Sequence, residues 1–279
     1  MIQALIFTDL DGTLLDDRYD VSGAAAAMDR VTELGALVVP VSSKTRAEMT
    51  LLREQQRIPT PFIFENGAGF DWGEHQPWAA GWVETPSGVH LQGLSYPDLC
   101  EQLARLREQL GLEFRGFSEL SEKKVSELTK LSPQGADLAK QRLASEPLIG
   151  LNSEESVAAL ERELSQRGLL LQKGGRFYTA TSRRQKSDAV AEMAALLQGQ
   201  TSNRLSVIVC GDGPNDLSML ALAETAMLFS CSAMHDPEPA AHFEMKNYLT
   251  DTPTVRRLVE VSGAGHEAWS RAVIEVLSS

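Results

Sequence analysis

Residues 4–13 read ALIFTDLDGT, a short apolar run that ends in two carboxylates, Asp9 and Asp11. Such a run is typical of a buried parallel strand whose carboxyl end opens into a polar site. Residues 207–216 read VIVCGDGPND and repeat this arrangement. Ligands of open α/β sheets bind at the carboxyl ends of strands. Because several ionised carboxylates cannot gather closely without a cation, the two stretches predict a metal site and, with it, phosphate chemistry.

Alternating strand and helix patterns surround both stretches. The first part of the chain has a βαβαβ pattern, which requires parallel strands: the predicted strands are 4–8, 36–41 and 62–64, and the predicted helices are 22–33 and 45–56. The alternation returns near the other end of the chain. There we predict strands at 206–210 and 226–229 and helices at 186–197, 215–223, 251–261 and 267–277.

The middle of the chain has a different character. Residues 71–95 are rich in Gly, Pro, Trp and His and have no clear period, which predicts a linker. After the linker we predict helices at 98–110, 119–130, 133–144 and 153–167, strands at 113–115 and 147–150, and a hairpin at 169–179. The predicted fold is therefore a Rossmann-like α/β core with a parallel sheet and an inserted α+β cap. The core would comprise residues 1–84 and 184–279, and the cap residues 85–183.

Composition narrows the function classes. The net charge of −12 argues against nucleic acid or an anionic membrane as a partner. No apolar stretch approaches the roughly 18 residues of a membrane span. No signal-peptide pattern precedes the first strand.

Three widely spaced cysteines, Cys100, Cys210 and Cys231, favour a reducing compartment. We therefore expect a cytoplasmic protein. The five histidines are scattered along the sequence, which argues against a zinc site.

The acidic residues suit acid–base and nucleophilic chemistry. Asp9 and Asp11 are two positions apart, so one carboxylate can act as a nucleophile or metal ligand while the other transfers a proton. The alternative is a solvated turn rich in Asp. For Asn215 and Asp216 the alternative is a helix N-cap with an acidic first turn. That alternative does not explain Asp212 together with the first acidic stretch.

Two further segments suit an anion. Residues 42–46 read SSKTR, follow a predicted strand and open a helix, where hydroxyls and free N–H groups can bind phosphate. Simple N-capping explains this segment equally well. Lys186 opens a later helix, a slightly unfavourable place for a lysine, which indicates an anionic partner. The alternative is an ordinary surface lysine.

The order of these residues resembles a known superfamily. Asp9-x-Asp11, Ser42, Lys186 and the stretch from Gly211 to Asp216 resemble the haloacid dehalogenase-like phosphohydrolases. The insertion after the third strand resembles the subgroup with a large α/β cap. Segments 41–48, 65–68, 142–147 and 174–177 are similar to mannosyl-3-phosphoglycerate phosphatases.

The resemblance implies a Mg²⁺-dependent phosphatase that hydrolyses a mannosyl- or glucosyl-3-phosphoglycerate. Its implied catalytic residues are the nucleophile Asp9, the proton-transferring Asp11, and Ser42 and Lys186, which bind the phosphoryl oxygens. The implied metal-site residues are Asp9, Asp11, Asp212 and Asp216. The implied substrate-binding residues are Ser43, Lys44, Asn66, Arg142, Lys173, Arg176 and Asn215. Arg183 and Arg184 we interpret as solvated surface charges.

Two other functions stay open. One is a general sugar-phosphate phosphatase with the same core and a less selective cap. The other is a protein that binds a phosphorylated ligand without catalysis. The presence of Asp9, Asp11, Lys186 and Asp212 favours an enzyme over the second alternative.

Overall fold

The computed structural model of the protein describes residues 2–15, 20–56, 60–73, 87–174, 176–230 and 239–279. The predicted domain boundary between residues 84 and 85 lies outside these ranges, as do His75, Gly175, Cys231 and His235. The described residues form one sheet of eight strands and one of four, which we call the large sheet and the small sheet.

The large sheet is mostly parallel. In spatial order its strands are β12 (Arg257–Ser262), β11 (Thr225–Ser230), β10 (Ser206–Gly211), β1 (Ala4–Asp9), β2 (Ala36–Val41), β3 (Phe62–Phe64), β4 (Gly69–Asp71) and β5 (Val89–Leu91). Neighbours from β12 to β3 run parallel, and β4 and β5 are antiparallel additions. Because β1 lies between β2 and β10, the direction of winding reverses between β1 and β10, where ligands of such sheets bind.

Helices cover both faces of the large sheet, which is why β1 and β2 are buried along their whole length. Ile6 of β1 packs in the apolar cluster that contains α1 (Val21–Glu33), α2 (Arg46–Gln56) and α10 (His266–Leu277). Leu5 and Phe7 face the opposite cluster, with α7 (Lys186–Gln198), α8 (Leu217–Leu220) and α9 (Pro239–Thr250). The predicted α/β fold class is confirmed.

The small sheet lies between β5 and α7 in the chain. Its order is β6 (Arg115–Gly116), β7 (Ser145–Ile149), β9 (Tyr178–Ser182) and β8 (Leu169–Lys173), all antiparallel. Leucines of α3 (Tyr96–Leu110) and α6 (Glu154–Gln166) pack against it, and α4 (Glu122–Thr129) and α5 (Pro133–Lys140) complete this α+β unit. β5, which falls within the predicted cap range, pairs with β4 of the large sheet. None of the helices in the described ranges is long and apolar enough to cross a bilayer.

Several local predictions differ from the structure. The predicted helix at 251–261 is wrong: residues 251–256 form turns and bends, and Arg257–Ser262 pairs in parallel with β11 as the edge strand β12. The predicted helix at 215–223 divides into a 3₁₀ turn, Pro214–Asp216, and the short helix α8. Strands β4 and β5 and helix α9 were not predicted.

Candidate active site at the carboxyl ends of β1 and β10

Three carboxylates meet beside the carboxyl ends of β1 and β10. Asp9 is the last residue of β1, and Asp212 and Asp216 follow β10. The two strands are parallel neighbours, with Thr8 opposite Cys210, so their ends coincide. One carboxylate oxygen from each residue lies within 4.8 Å of the others. Asp9 is 7% exposed and Asp216 is completely buried. We call these three residues and Lys186 the acidic cluster.

The backbone around Asp9 is held by contacts on both sides of β1. Thr8 accepts a hydrogen bond from the Trp269 indole (3.0 Å) and donates from its hydroxyl to the Asp9 carbonyl (2.9 Å). Gly12 has φ +87°, and a Cβ there would lie 2.4 Å from an Asp212 carboxylate oxygen. Position 12 therefore requires glycine for both its conformation and its close approach. Thr13 then donates to Asp212 Oδ1 (3.2 Å).

Lys186 enters the cluster from the first turn of α7. Its Nζ donates to Asp9 Oδ1 (2.5 Å) and to Asp216 Oδ1 (2.7 Å), and the side chain is 2% exposed. Burial opposes the lysine charge, but the charges of Asp216 and Asp9 outweigh burial and raise the pKa of Lys186 above its ordinary value. Lys186 is therefore a buried cation and not a surface lysine.

One lysine does not balance the carboxylates. Burial raises the pKa of Asp9 well above its usual range; Lys186 opposes this shift, and Asp216, Asp212 and Asp11 add to it. Burial and the Asp216 charge likewise raise the pKa of Asp212 to about 7. Clustered carboxylate oxygens with excess negative charge are the ligands that hard divalent cations prefer. The donor set thus fits Mg²⁺, with Asp9, Asp212 and Asp216 as the residues that could hold it.

Asp11 and Lys44 lie next to the cluster as an ion pair. Lys44 Nζ donates to Asp11 Oδ2 (2.6 Å), and the Asp11 side chain is 42% exposed. Asp11 also contributes to the raised pKa of Asp9, which places its charge near that carboxylate. The charge of the predicted proton-transfer residue is thus close to the predicted nucleophile, and its side chain is accessible to solvent.

The predicted phosphate-binding loop follows β2. Val41 pairs with Asp9 in the sheet, so Ser42 comes one residue beyond the level of Asp9. The Ser42 hydroxyl is buried and accepts the N–H of Lys44 (3.2 Å). Asn66 donates its backbone N–H to the Ser42 carbonyl (3.0 Å), which brings these residues of the resemblance together.

The remaining predicted residues are spread over the small sheet and the loop after β10. Asn215 Nδ2 lies 3.4 Å from Asp216 Oδ1, beside the acidic cluster. Arg142 is 8% exposed, and its guanidinium donates to the carbonyls of Ser145 (2.8 Å) and Ser43 (3.3 Å). Lys173 is exposed at the end of β8, and exposed Arg176 donates to the carbonyl of Thr129 (2.7 Å). Within the described residues, no hydrogen bond or ion pair joins Lys173 or Arg176 to the acidic cluster.

Two residues that were not predicted as site residues, Glu65 and Arg184, connect the sheets. Glu65 is buried and binds the segment that leads into β7. Arg184, interpreted as a surface charge, has a side chain that is only 12% exposed. It donates to the Gly67 carbonyl (2.7 Å) and to Gln92 Oε1 (2.6 Å), and it pairs with Glu192. Both have partners that are remote in the chain, so no local pattern identifies them.

No protein-family model matches the chain. Solved structures match it over nearly its whole length. One is a haloacid dehalogenase-like hydrolase from B. subtilis, with 15% identity, a TM-score of 0.66, and coverage of 98% of this chain and 100% of that chain. The chain has the haloacid dehalogenase-like fold.

Two phosphatases share this fold with the chain. A phosphatase of the haloalkanoate enzyme superfamily from Bacteroides thetaiotaomicron has 14% identity and a TM-score of 0.65, over 99% of this chain and 96% of that chain. A subclass IIB sugar phosphatase has 15% identity and a TM-score of 0.61, over 98% of this chain and 99% of that chain. At these identities the likeness establishes the fold but not the reaction.

Proposed function

We propose that the protein is a Mg²⁺-dependent phosphatase that hydrolyses a phosphate monoester through an aspartyl-phosphate on Asp9. The observation that carries the proposal is the acidic cluster, in which one buried lysine binds two of three clustered carboxylates where the winding of the sheet reverses. Strongly perturbed pKa values in such a place are typical of catalytic sites. The fold is also that of solved phosphatases.

In the first step, a carboxylate oxygen of Asp9 attacks phosphorus and the bond from phosphorus to the leaving oxygen breaks. Asp11 donates a proton to that oxygen, which leaves as an alcohol. In the second step, water attacks the phosphorus of the aspartyl-phosphate while Asp11 accepts its proton; the bond from phosphorus to the Asp9 oxygen breaks, which regenerates Asp9 and releases inorganic phosphate. Lys186 and the hydroxyl and N–H groups of the Ser42 loop stabilise the phosphoryl oxygens.

Asp9, Asp212 and Asp216 would hold the cation, and the backbone carbonyl of Asp11 is a further candidate ligand. When bound, Mg²⁺ neutralises the carboxylates and the developing charge on the phosphoryl group. Asp216 has an additional role in the protein itself. Its Oδ2 accepts the backbone N–H groups of Asp212 and Gly213 (3.2 Å each), while its Oδ1 holds Lys186. Asp216 thereby fixes the loop that presents Asp212.

For the substrate class we propose a phosphorylated sugar and, more narrowly, a mannosyl- or glucosyl-3-phosphoglycerate. The sugar-phosphate proposal is supported by the solved sugar phosphatase of the same fold. The narrower proposal rests on the resemblance of segments 41–48, 65–68, 142–147 and 174–177. In that proposal Lys173 and Arg176 supply positive charge for the glycerate carboxylate, since Arg142 already donates to carbonyls within the protein.

The test is a panel of phosphate esters with Mg²⁺ and with EDTA, read as kcat/KM for phosphate release. The panel contains mannosyl- and glucosyl-3-phosphoglycerate, hexose phosphates and an aryl phosphate. A preference for the glycosyl-phosphoglycerates supports the narrow proposal, and equal rates on simple hexose phosphates support the general sugar-phosphate phosphatase. Absence of metal-dependent release from every ester would contradict both and favour a binding protein.

A further inference from the structure

Another buried carboxylate, that of Glu65, lies where the large and small sheets meet. It follows β3 and is completely buried. Its carboxylate accepts the N–H groups of Leu143 (2.8 Å) and Ala144 (3.1 Å) and the hydroxyl of Ser145 (2.7 Å). These donors are 78, 79 and 80 positions away in the chain, in the segment that leads into β7. The carboxylate of a large-sheet residue is thus bound entirely by the small-sheet unit.

The backbone of Glu65 points the other way, towards the phosphate-binding loop. Glu65 has φ 48° and Asn66 has φ 57°, a left-handed conformation that a glutamate rarely adopts. Such strain persists where the surroundings fix it. Here the N–H of Glu65 donates to the Lys44 carbonyl (2.9 Å), and that of Asn66 donates to the Ser42 carbonyl (3.0 Å). One strained turn therefore connects the small sheet to residues 42–44.

Arg142 holds the same loop from the side of the small sheet. Its Nη2 donates to the Ser43 carbonyl (3.3 Å) and to Ser145 Oγ (2.7 Å), and its Nε lies 3.8 Å from Glu65 Oε2. The carbonyls of Ser42, Ser43 and Lys44 consequently each accept a hydrogen bond from Asn66, Arg142 or Glu65. We call Glu65 and residues 142–145 the docking cluster.

We propose that Glu65 is a positioning residue that couples docking of the 142–145 segment to the geometry of the loop from Ser42 to Lys44. If the 142–145 segment separated from Glu65, the Glu65 carboxylate and the Arg142 guanidinium would lose their hydrogen-bond partners. For charged groups that are buried, this loss is unfavourable. Docking and the order of the loop are therefore gained and lost together. The consequence for catalysis rests on the proposed function, whereas the coupling itself does not.

The test is amide hydrogen exchange of Glu65→Gln in the metal-free, ligand-free protein. Glutamine keeps the shape of the side chain but turns an NH₂ group towards one of the donors. We expect exchange in residues 142–145 to become at least about tenfold faster, because hydrogen bonds to a charged acceptor are lost. The coupling predicts faster exchange in residues 41–45 as well, with α3 and α6 unchanged.

Glu119→Gln is the matched control. Glu119 also accepts a backbone N–H, that of Gly116 (2.9 Å), and pairs with Arg107, but these partners lie within the small-sheet unit. Exchange near residues 115–119 should become faster in this variant, and residues 41–45 and 142–145 should keep the parent rates. If Glu65→Gln fails to unfold cooperatively, Ser145→Ala is used instead. This variant removes one hydrogen-bond donor to Glu65 and should increase the exchange rates of the same two segments by a smaller factor.

Activity gives a second, separable readout. On the most active ester of the panel, kcat of Glu65→Gln should fall about tenfold, because the phosphoryl-binding loop is displaced. Its thermal stabilisation by Mg²⁺ should equal that of the parent. If the parent hydrolyses no ester, the exchange data still decide the coupling. Faster exchange in residues 142–145 with parent rates in 41–45, or no change in either segment, would overturn the proposal.

Discussion

The acidic cluster and the docking cluster both contain carboxylates at, or just after, the carboxyl ends of strands of the large sheet. In the acidic cluster, three carboxylates lie close together, and the one ammonium group, that of Lys186, binds Asp9 and Asp216. In the docking cluster, the single carboxylate of Glu65 accepts three hydrogen bonds and lies beside a guanidinium group. Both clusters contain buried carboxylates, but negative charge is in excess in the acidic cluster and is balanced in the docking cluster.

This difference in charge balance distinguishes a cluster that can react from a cluster that fixes the geometry of the protein. Unbalanced charge in the acidic cluster raises the pKa values of Asp9 and Asp212 and creates affinity for a cation and a reactive phosphorus. Glu65 is satisfied by donors of the protein itself, which fixes its geometry. Substitutions in the acidic cluster should therefore change turnover and the response to metal directly, whereas substitutions at balanced carboxylates should act through local order or stability.

The largest expected effect is that of Asp9→Asn. An amide is a poor nucleophile, so turnover should fall at least about a thousandfold while the fold is retained. The measurement is steady-state phosphate release. The control is Asp20→Asn at the N-cap of α1, where asparagine caps equally well and the parent rate is expected. Near-parental turnover of Asp9→Asn would refute the assignment of the nucleophile.

Lys186→Met should have the next largest effect, on stability. Among the described residues, Lys186 supplies the only ammonium group that binds both Asp9 and Asp216. Its removal leaves buried carboxylates unpaired, at a cost of about 3–5 kcal/mol in the free energy of unfolding. Urea unfolding in EDTA measures this. Lys246→Met, which removes an exposed partner of Glu260, should stay within about 0.5 kcal/mol. Similar losses in both variants would contradict a buried, charge-compensating lysine.

The response to Mg²⁺ should depend on pH. The pKa of Asp212 is raised from 3.8 to about 7 in the folded protein. Its contribution to the stability of the metal-free protein is therefore complete below the unfolded pKa and is lost as the pH rises through about 7. Since the cation binds ionised carboxylates, the increase in Tm with Mg²⁺ should be larger at about pH 8 than at about pH 5. Asp212→Asn should reduce this difference, and a response equal at both pH values would contradict the account.

A smaller effect is expected for Glu146→Gln, at a second balanced carboxylate. Glu146 is buried in β7 and accepts the Tyr96 hydroxyl (2.7 Å) and the N–H and hydroxyl of Ser118 (2.8 and 2.6 Å). Burial and the Glu146 charge raise the pKa of Tyr96, which keeps that donor protonated. The variant should lose about 1–3 kcal/mol of stability, measured by urea unfolding, with parental phosphate release. A loss of turnover without a loss of stability would break the comparison.

Much of the large sheet could be predicted from the sequence. β1, β2 and β10 are covered on both faces, so each contains a continuous apolar run, and a polar residue (Asp9, Ser42 or Asp212) stands at the end of the strand or directly after it. β12 is an edge strand with exposed Arg257 and Glu260, and its mixed pattern also fits a helix. Its conformation depends on pairing with β11, which a local pattern does not contain.

The residues of the site and its surroundings also differ in how far the sequence predicts them. Asp9, Asp212, Asp216 and Lys186 were predictable as a group because each stands at a strand end or helix start, and parallel strands bring these ends together. The roles of Glu65, Arg142 and Arg184 in joining the sheets were not. Their partners include backbone N–H and carbonyl groups of remote loops, and every residue type except proline carries both groups.

The most direct test of the central claim is to quench a reaction with acid during turnover of the best ester and to map the protein by mass spectrometry. The account predicts a mass increase of one phosphoryl group on the peptide that contains Asp9, which disappears after the substrate is exhausted. Turnover with no phosphoryl group on that peptide, or with the group on another residue, would contradict catalysis through Asp9.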